Sequence, residues 1–255
     1  MEFLNELLNR NAALFYFGLL CLLCAVLCIV LVFVTDTVVL GINAWIKPAK
    51  FFISSWIFVW TMGWILTYLE RPQTEAIYSW TVIIVMSFEL VYIAAQAYRG
   101  QLSHFNTSDS FGPIMFSLMG VAISVMTVCT AYIGLLFFKG SYPELPAAYL
   151  WGIRFGILLF VIFAFEGGLM GSRMTHTIGG PDGESGLPFV NWSVRYGDLR
   201  IAHFVGMHAL QVLPLMGFYV IHNSKVIIGL SIGYFLMAVF ILVQALIGIP
   251  LIRVT

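Results

Sequence analysis

Long apolar runs dominate this sequence and constrain its fold more than any other feature. A helix that crosses a bilayer needs about 20 mostly apolar residues, and seven runs meet that length: 12–34, 49–69, 76–98, 112–138, 149–171, 200–221 and 226–250. Backbone groups in lipid must be hydrogen-bonded internally, and the runs lack the alternation of polar and apolar residues typical of a β-barrel. We therefore predict an all-α polytopic membrane protein, a seven-helix transmembrane bundle that forms a single domain over residues 1–255.

The composition excludes a water-soluble fold. Apolar residue types make up 61% of the chain and charged types only 9%, whereas a soluble domain carries roughly 25% charged residues. The 12 basic and 12 acidic residues cancel, and no basic tract is present, so nucleic acid is not an expected partner. The expected surroundings are the lipid bilayer, and a small-molecule or lipid-like ligand is the second partner that we consider.

The histidines map mainly to one side of the membrane. If every run crosses the bilayer, the segments 35–48, 99–111 and 172–199 share one side, which we call face X. Four of the five histidines fall on or near this face; they are His104, His176, His203 and His208. Because loops in a compact protein carry function more often than the elements they connect, we expect the functional site at face X.

Two acidic residues lie inside predicted spans. Glu89 belongs to the third span and Glu166 to the fifth, and an ionisable group within a span is costly and marks a functional site by default. Helical spacing places Gln96 and Arg99 on the same stripe as Glu89, and Arg173 on the stripe of Glu166. We predict Glu89 and Glu166 as catalytic groups, with Arg99 and Arg173 as cationic partners nearer the surface.

The sixth span adds a polar stripe that descends from face X. Arg200, His203, His208 and Gln211 follow one another along it, and lipid cannot satisfy such groups. We expect the polar stripes to face each other around one cavity that opens on face X; the alternative is an internal hydrogen-bond network that only positions the helices. The predicted binding residues of this cavity are Gln96, Arg99, His104, Arg173, Arg200 and Gln211.

Three functions fit this pattern. In the first, a divalent, zinc-like metal that activates water is held by His176, His203, His208 and a carboxylate such as Asp182 or Asp198. In the second, His203 or His208 ligates a haem, which would be non-covalent because no Cys-x-x-Cys-His motif occurs. In the third, the same cavity binds a solute or a proton without chemistry, and the protein is a transporter or a ligand-binding protein.

Local roles are the alternative for several of these residues. Asp182 lies in Gly-Gly-Pro-Asp-Gly, a sequence typical of a turn. Asp198 precedes the sixth span, where aspartate is favoured as an N-cap. His104 lies in Ser-His-Phe-Asn and serves equally well to shape a loop, and Lys47 and Lys50 are long enough to reach lipid headgroups.

Three segments carry a resemblance to a known family. They are Trp-Ile-Lys-Pro-Ala-Lys-Phe at 45–51, Arg-Gly-Gln-Leu-Ser-His-Phe-Asn at 99–106, and Gly-Asp-Leu-Arg-Ile-Ala-His-Phe-Val-Gly-Met-His-Ala-Leu-Gln at 197–211. They resemble a family of uncharacterised bacterial multi-span membrane proteins. The resemblance implies a bacterial inner-membrane location and transfers no activity.

Overall fold

Helices account for most of the chain in the computed structural model, which describes residues 2–108 and 110–253. The helices are α1 (Glu2–Arg10), α2 (Ala12–Val34), α3 (Ile46–Leu66, extended by a 3-10 turn over Thr67–Leu69), α4 (Pro72–Tyr98), α5 (Phe111–Lys139), α6 (Ala147–Arg173), α7 (Leu199–Tyr219) and α8 (Ser224–Leu246). The helices α2 to α8 are all long and apolar enough to cross a membrane. The predicted all-α class with seven candidate spans is therefore confirmed.

Several span boundaries differ from the prediction by a few residues, and two of the differences have clear local reasons. Helix α3 begins at Ile46 rather than at 49, and it tolerates Pro48 because the first N–H groups of a helix have no intrahelical partner. Helix α8 ends at Leu246 rather than at 250. The chain there turns at Gly248, whose φ is +79°, and Pro250 lacks the N–H that a continuing helix needs.

The chain divides into two compact units, Met1–Met126 and Thr127–Thr255, and the boundary falls within α5. In the first unit, α1 packs against the following helices: Leu7 is fully buried, and Phe3 stacks on Trp64. The beginning of α5 packs on α4 through Met119 and Tyr92. The prediction of a single domain over residues 1–255 stays a prediction.

Helices α6 and α7 form the centre of the second unit and approach each other at backbone distance. A Cβ built on Gly152 would lie 2.5 Å from the carbonyl oxygen of Leu213, and one on Gly156 would lie 3.0 Å from that of Ala209. Gly152 and Gly156 therefore allow the two helices to pack closely. Gly229 and Gly233 of α8 are also four residues apart, but a Cβ on either would border open space within the described chain.

Two short antiparallel strand pairs order the loops next to the helices. The first pairs β1 (Val38–Val39) with β2 (Ile42–Asn43). The second pairs β3 (Thr177–Ile178) with β4 (Gly197–Asp198), which brings the two ends of the long loop between α6 and α7 together. The second pair leads directly into α7 and so positions the residues that open this helix.

Candidate functional site

A glutamate and a histidine from neighbouring helices meet in the second unit. Glu166 of α6 and His203 of α7 approach to 3.4 Å between Oε2 and Nδ1, and the Glu166 side chain is only 4% exposed. Neither carboxyl oxygen of Glu166 has a hydrogen-bond partner among residues 2–108 and 110–253. The His203 Nδ1 also lies 2.7 Å from the carbonyl oxygen of Phe163. Because a carbonyl only accepts, Nδ1 carries a hydrogen and donates it.

Glycines make this contact sterically possible. A Cβ on Gly167 would lie 2.9 Å from Cε1 of His203, and the ring of Phe163 occupies the space that a side chain at Gly206 would need. The missing side chains allow α6 and α7 to approach closely enough for His203 to reach across to Glu166. The spacing of polar residues along each helix does not reveal this close approach of α6 and α7.

The first unit contains a second His–Glu contact. His104, in the loop after α4, has its Nε2 3.8 Å from Oε1 of Glu89, with side-chain exposures of 17% and 11%. The other ring nitrogen, Nδ1, lies 3.3 Å from Nζ of Lys47 and 3.2 Å from Oγ of Ser103. Lys47 and Ser103 were not among the predicted site residues. The sequence signal for both was their presence in the segments 45–51 and 99–106.

Aromatic rings surround His104, and hydrogen bonds anchor its loop. Its ring lies 6.0 Å from Phe51 and 5.8 Å from Phe116, measured between ring centroids. Gln96 is 2% exposed, and its Nε2 donates to the carbonyl of Leu102 at 3.1 Å, which holds the loop against α4. Arg99 is within 3.4 Å of Oε1 of Gln96. Gln96 and Arg99 therefore support the loop that presents His104.

His176 and Asp182 form a separate contact in the loop between α6 and α7. The His176 Nδ1 lies 3.0 Å from Oδ2 of Asp182, and the backbone N–H groups of His176 and Thr177 donate to the same carboxylate. Burial of the Asp182 carboxyl opposes its ionisation, but these hydrogen bonds outweigh burial and hold its pKa well below the usual range. Asp182 thus organises the turn, as the local prediction anticipated.

Asp198 and Arg200 stabilise the start of α7. Asp198 is the N-cap and accepts from the backbone N–H of Arg200, and its other oxygen accepts from Nη2 of Arg200 at 2.6 Å. Arg200 Nη2 also donates to the carbonyl of Asn191 at 2.6 Å. The N-cap prediction for Asp198 is confirmed. Arg200 thus holds the loop at Asn191 against the start of α7.

Three other predicted residues of the second unit lie on α6 and α7. Arg173 is exposed at the end of α6, and the described contact of Glu166 comes from His203, so a partnership of Arg173 with Glu166 stays a prediction. His208 donates from Nδ1 to the carbonyl of Phe204 at 2.8 Å, and its ring lies 4.0 Å from that of Phe204. Gln211 is half-buried on α7.

The predicted metal-ligand set is not assembled. Across residues 2–108 and 110–253, no three His, Cys, Asp or Glu side chains are placed to hold one metal ion. His176 contacts Asp182, His203 contacts Glu166, and His208 contacts a backbone carbonyl. These four predicted ligands are therefore distributed over separate contacts. One cavity shared by both units stays a prediction.

Comparison with known proteins gave no match among family models, curated proteins or solved structures. The two His–Glu contacts are therefore the features of the described chain that bear most directly on its function.

Proposed function

We propose that this chain is a multi-pass protein of a bacterial inner membrane that moves protons, with or without a coupled solute, through its His–Glu pairs. The proposal corresponds to the transporter alternative of the sequence analysis. Seven candidate spans and the resemblance of three segments to bacterial inner-membrane proteins support the location. The protonatable groups inside the spans support the activity.

The observation that carries the proposal is the environment of Glu166. Its side chain is 4% exposed, and neither oxygen accepts a hydrogen bond from a described residue. A buried carboxylate in that state is costly unless a cation pairs with it or a proton neutralises it. Since His203 is the neighbour, the pair is neutral either as carboxylate and imidazolium or as carboxyl and imidazole. Loss or gain of one proton changes the charge of the whole pair.

The Glu89–His104 contact supports the same function independently. It also combines a span carboxylate with an imidazole at the end of the span, and histidine is the side chain that titrates nearest neutral pH. Each unit therefore contains its own proton-binding pair. Proton relays in membrane transporters are built from Asp, Glu and His of this kind.

Proton movement is measurable without knowledge of a solute. The full chain would be reconstituted into vesicles that contain a pH-sensitive dye, and a potassium diffusion potential would drive proton entry. We expect entry above that of empty vesicles, with a loss of at least about tenfold in Glu166→Gln, because the amide cannot bind the proton. Glu144 lies in an exposed loop, so Glu144→Gln is the matched control and should retain full flux.

Infrared difference spectra across a pH step provide the second readout, since they detect carboxyl protonation directly. The carbonyl band of a protonated carboxyl should be present in the wild type and lost in Glu166→Gln but not in Glu144→Gln. Equal flux and equal spectra for all three proteins would contradict the proposal.

One observation favours a second candidate, a redox protein with a non-covalent haem. Both His203 and His208 direct Nδ1 to a backbone carbonyl, and a histidine that ligates a metal usually donates its other ring N–H in this way. Metal analysis and an absorption spectrum of the purified protein test this candidate. A Soret band that disappears in His208→Ala would support it, and a haem-free preparation from haem-supplied cells would argue against it.

A further inference from the structure

A chain of polar contacts in the first unit connects α3 to α4 through His104. Nζ of Lys47 lies 3.3 Å from Nδ1 of His104, and Nε2 of His104 lies 3.8 Å from Oε1 of Glu89. We propose that these three residues form a directional proton relay, in which Lys47 holds His104 in the tautomer that faces Glu89 with its hydrogen. This inference deepens the proposed function and rests on it.

The chemistry of the ammonium group determines the tautomer. An ammonium has three donors and no acceptor, so the ring nitrogen that faces Lys47 must accept. The hydrogen of the neutral imidazole is then on Nε2, on the side of Glu89. A doubly protonated ring would place a second positive charge 3.3 Å from Lys47, and like charges at that distance repel strongly.

His203 of the second unit has the opposite arrangement. Its Nδ1 faces the carbonyl of Phe163 and therefore carries the hydrogen. The two histidines thus contact their glutamates through different ring nitrogens, Nε2 for His104 and Nδ1 for His203. The difference follows from the group closest to Nδ1, which is a donor (the Lys47 ammonium) at His104 and an acceptor (the Phe163 carbonyl) at His203.

One transfer step follows from the His104 geometry. A proton from water binds Nδ1 of His104, the Nε2–H bond breaks, and an O–H bond forms on Glu89. The products are a neutral Glu89 carboxyl and a neutral His104 with its hydrogen on Nδ1, so the three residues gain one positive charge in total. The Nε2 and Oε1 atoms must first approach each other by about 1 Å to reach hydrogen-bond distance.

The Ser103 hydroxyl can replace the Lys47 ammonium as the hydrogen-bond partner of Nδ1. Once Nδ1 carries a hydrogen it no longer accepts from Lys47, whereas Oγ of Ser103, at 3.2 Å from Nδ1, can accept because a hydroxyl is both donor and acceptor. Lys47 is therefore a positioning residue. Its return to Nδ1 requires the Nδ1 proton to leave to water and a proton from water to bind Nε2, and these two changes together restore the starting tautomer with no change of charge.

Nitrogen NMR of the full chain with ¹⁵N-labelled histidine in lipid bilayers measures the tautomer directly. Comparison with His104→Gln assigns the His104 signals by their loss. In the wild type at neutral pH we expect Nδ1 of His104 without hydrogen and Nε2 with hydrogen. The wild-type spectrum alone overturns the relay if it shows the hydrogen on Nδ1.

Variants at Lys47 test its role. Lys47→Met should lower the ratio of the Nε2–H to the Nδ1–H tautomer about fivefold, because one hydrogen bond is lost. Lys47→Arg keeps a cationic donor and should retain the wild-type ratio, and the exposed Lys225 provides Lys225→Met as the control. An unchanged ratio in a folded Lys47→Met protein would refute the role of Lys47.

The tautomer and the flux separate the two proposals. Proton flux in vesicles with the wrong tautomer would reject the relay and retain the transport function. The expected tautomer without any flux would reject the transport function and, with it, the relay as a transfer path.

Discussion

Removal of the imidazole beside Glu166 is expected to destabilise the protein strongly. His203→Ala leaves a carboxyl that is 4% exposed without the imidazole beside it, and breaking a buried ion pair on one side typically costs about 3–5 kcal/mol. A Coulomb estimate agrees, since two unit charges 3.4 Å apart attract by about 5 kcal/mol at an effective dielectric constant of about 20.

The converse substitution should cost much less. Glu166→Met replaces the carboxyl with an apolar side chain of similar size, and His203 keeps its hydrogen bond to Phe163 as a neutral imidazole. We expect a change within about 1 kcal/mol, because apolar replacements of buried charges are often neutral. In the double variant no carboxylate is left without a partner when His203 is removed. The double variant should therefore be more stable than His203→Ala alone by about 2–3 kcal/mol.

Unfolding by SDS, added to the protein in mild detergent and followed by circular dichroism, would measure the four free energies of this double-mutant cycle. Coupling of at least about 2 kcal/mol is the expected result. If the two substitutions are additive, or if His203→Ala costs less than about 1 kcal/mol, the two side chains do not form a charge pair in the membrane and the reasoning is refuted.

Three further predictions concern packing and the loop. Gly167→Ala places a Cβ 2.9 Å from His203 and should lower proton flux into vesicles at least about tenfold by displacing the ring; wild-type flux would contradict this. Gly152→Ala, whose Cβ would meet a backbone carbonyl at 2.5 Å, should cost about 1–3 kcal/mol in SDS unfolding, whereas Gly229→Ala, which faces open space, should not destabilise the chain. Asp182→Asn should loosen its loop at neutral pH. Because the pKa of Asp182 is depressed, the stronger protection of the wild-type loop should disappear as the pH falls through that pKa. Hydrogen exchange of the loop amides at several pH values would measure this. A difference between wild type and Asp182→Asn that stays constant with pH would contradict the prediction.

The fold was predictable because its signals are local and long. Apolar runs of bilayer length predict helices, and all seven occur close to the expected bounds. The deviation at the end of α8 arises because Ile247 and Ile249 extend the apolar pattern, while Gly248 and Pro250 end the helix through backbone geometry. A hydropathy pattern does not register the backbone effects of Gly248 and Pro250.

Single residues of the candidate site were predictable where the signal was local. Asp198 as an N-cap and Asp182 as a turn residue depend on neighbours a few positions away, and Glu166 was evident as a charge inside an apolar run. The partner of Glu166 was not predictable. Its stripe on α6 pointed to Arg173, but the rotation and close approach of α7 bring His203 to it instead.

Lys47 shows a different limit of sequence reasoning. A lysine at the start of a span is usually explained by contact with lipid headgroups, and that explanation needs no partner. The contact with His104 depends on how the loop after α4 folds back, and Gln96 holds that loop through the carbonyl of Leu102. No helical periodicity relates these positions.

The glycine contacts between α6 and α7 have a mechanical consequence. With the Gly152 and Gly156 positions against the backbone of α7, the two helices cannot slide past each other or separate without losing this packing. A transport cycle would then leave the spacing of Glu166 and His203 unchanged. If the chain moves protons as proposed, Glu166 and His203 would exchange protons with water while α6 and α7 keep their relative positions.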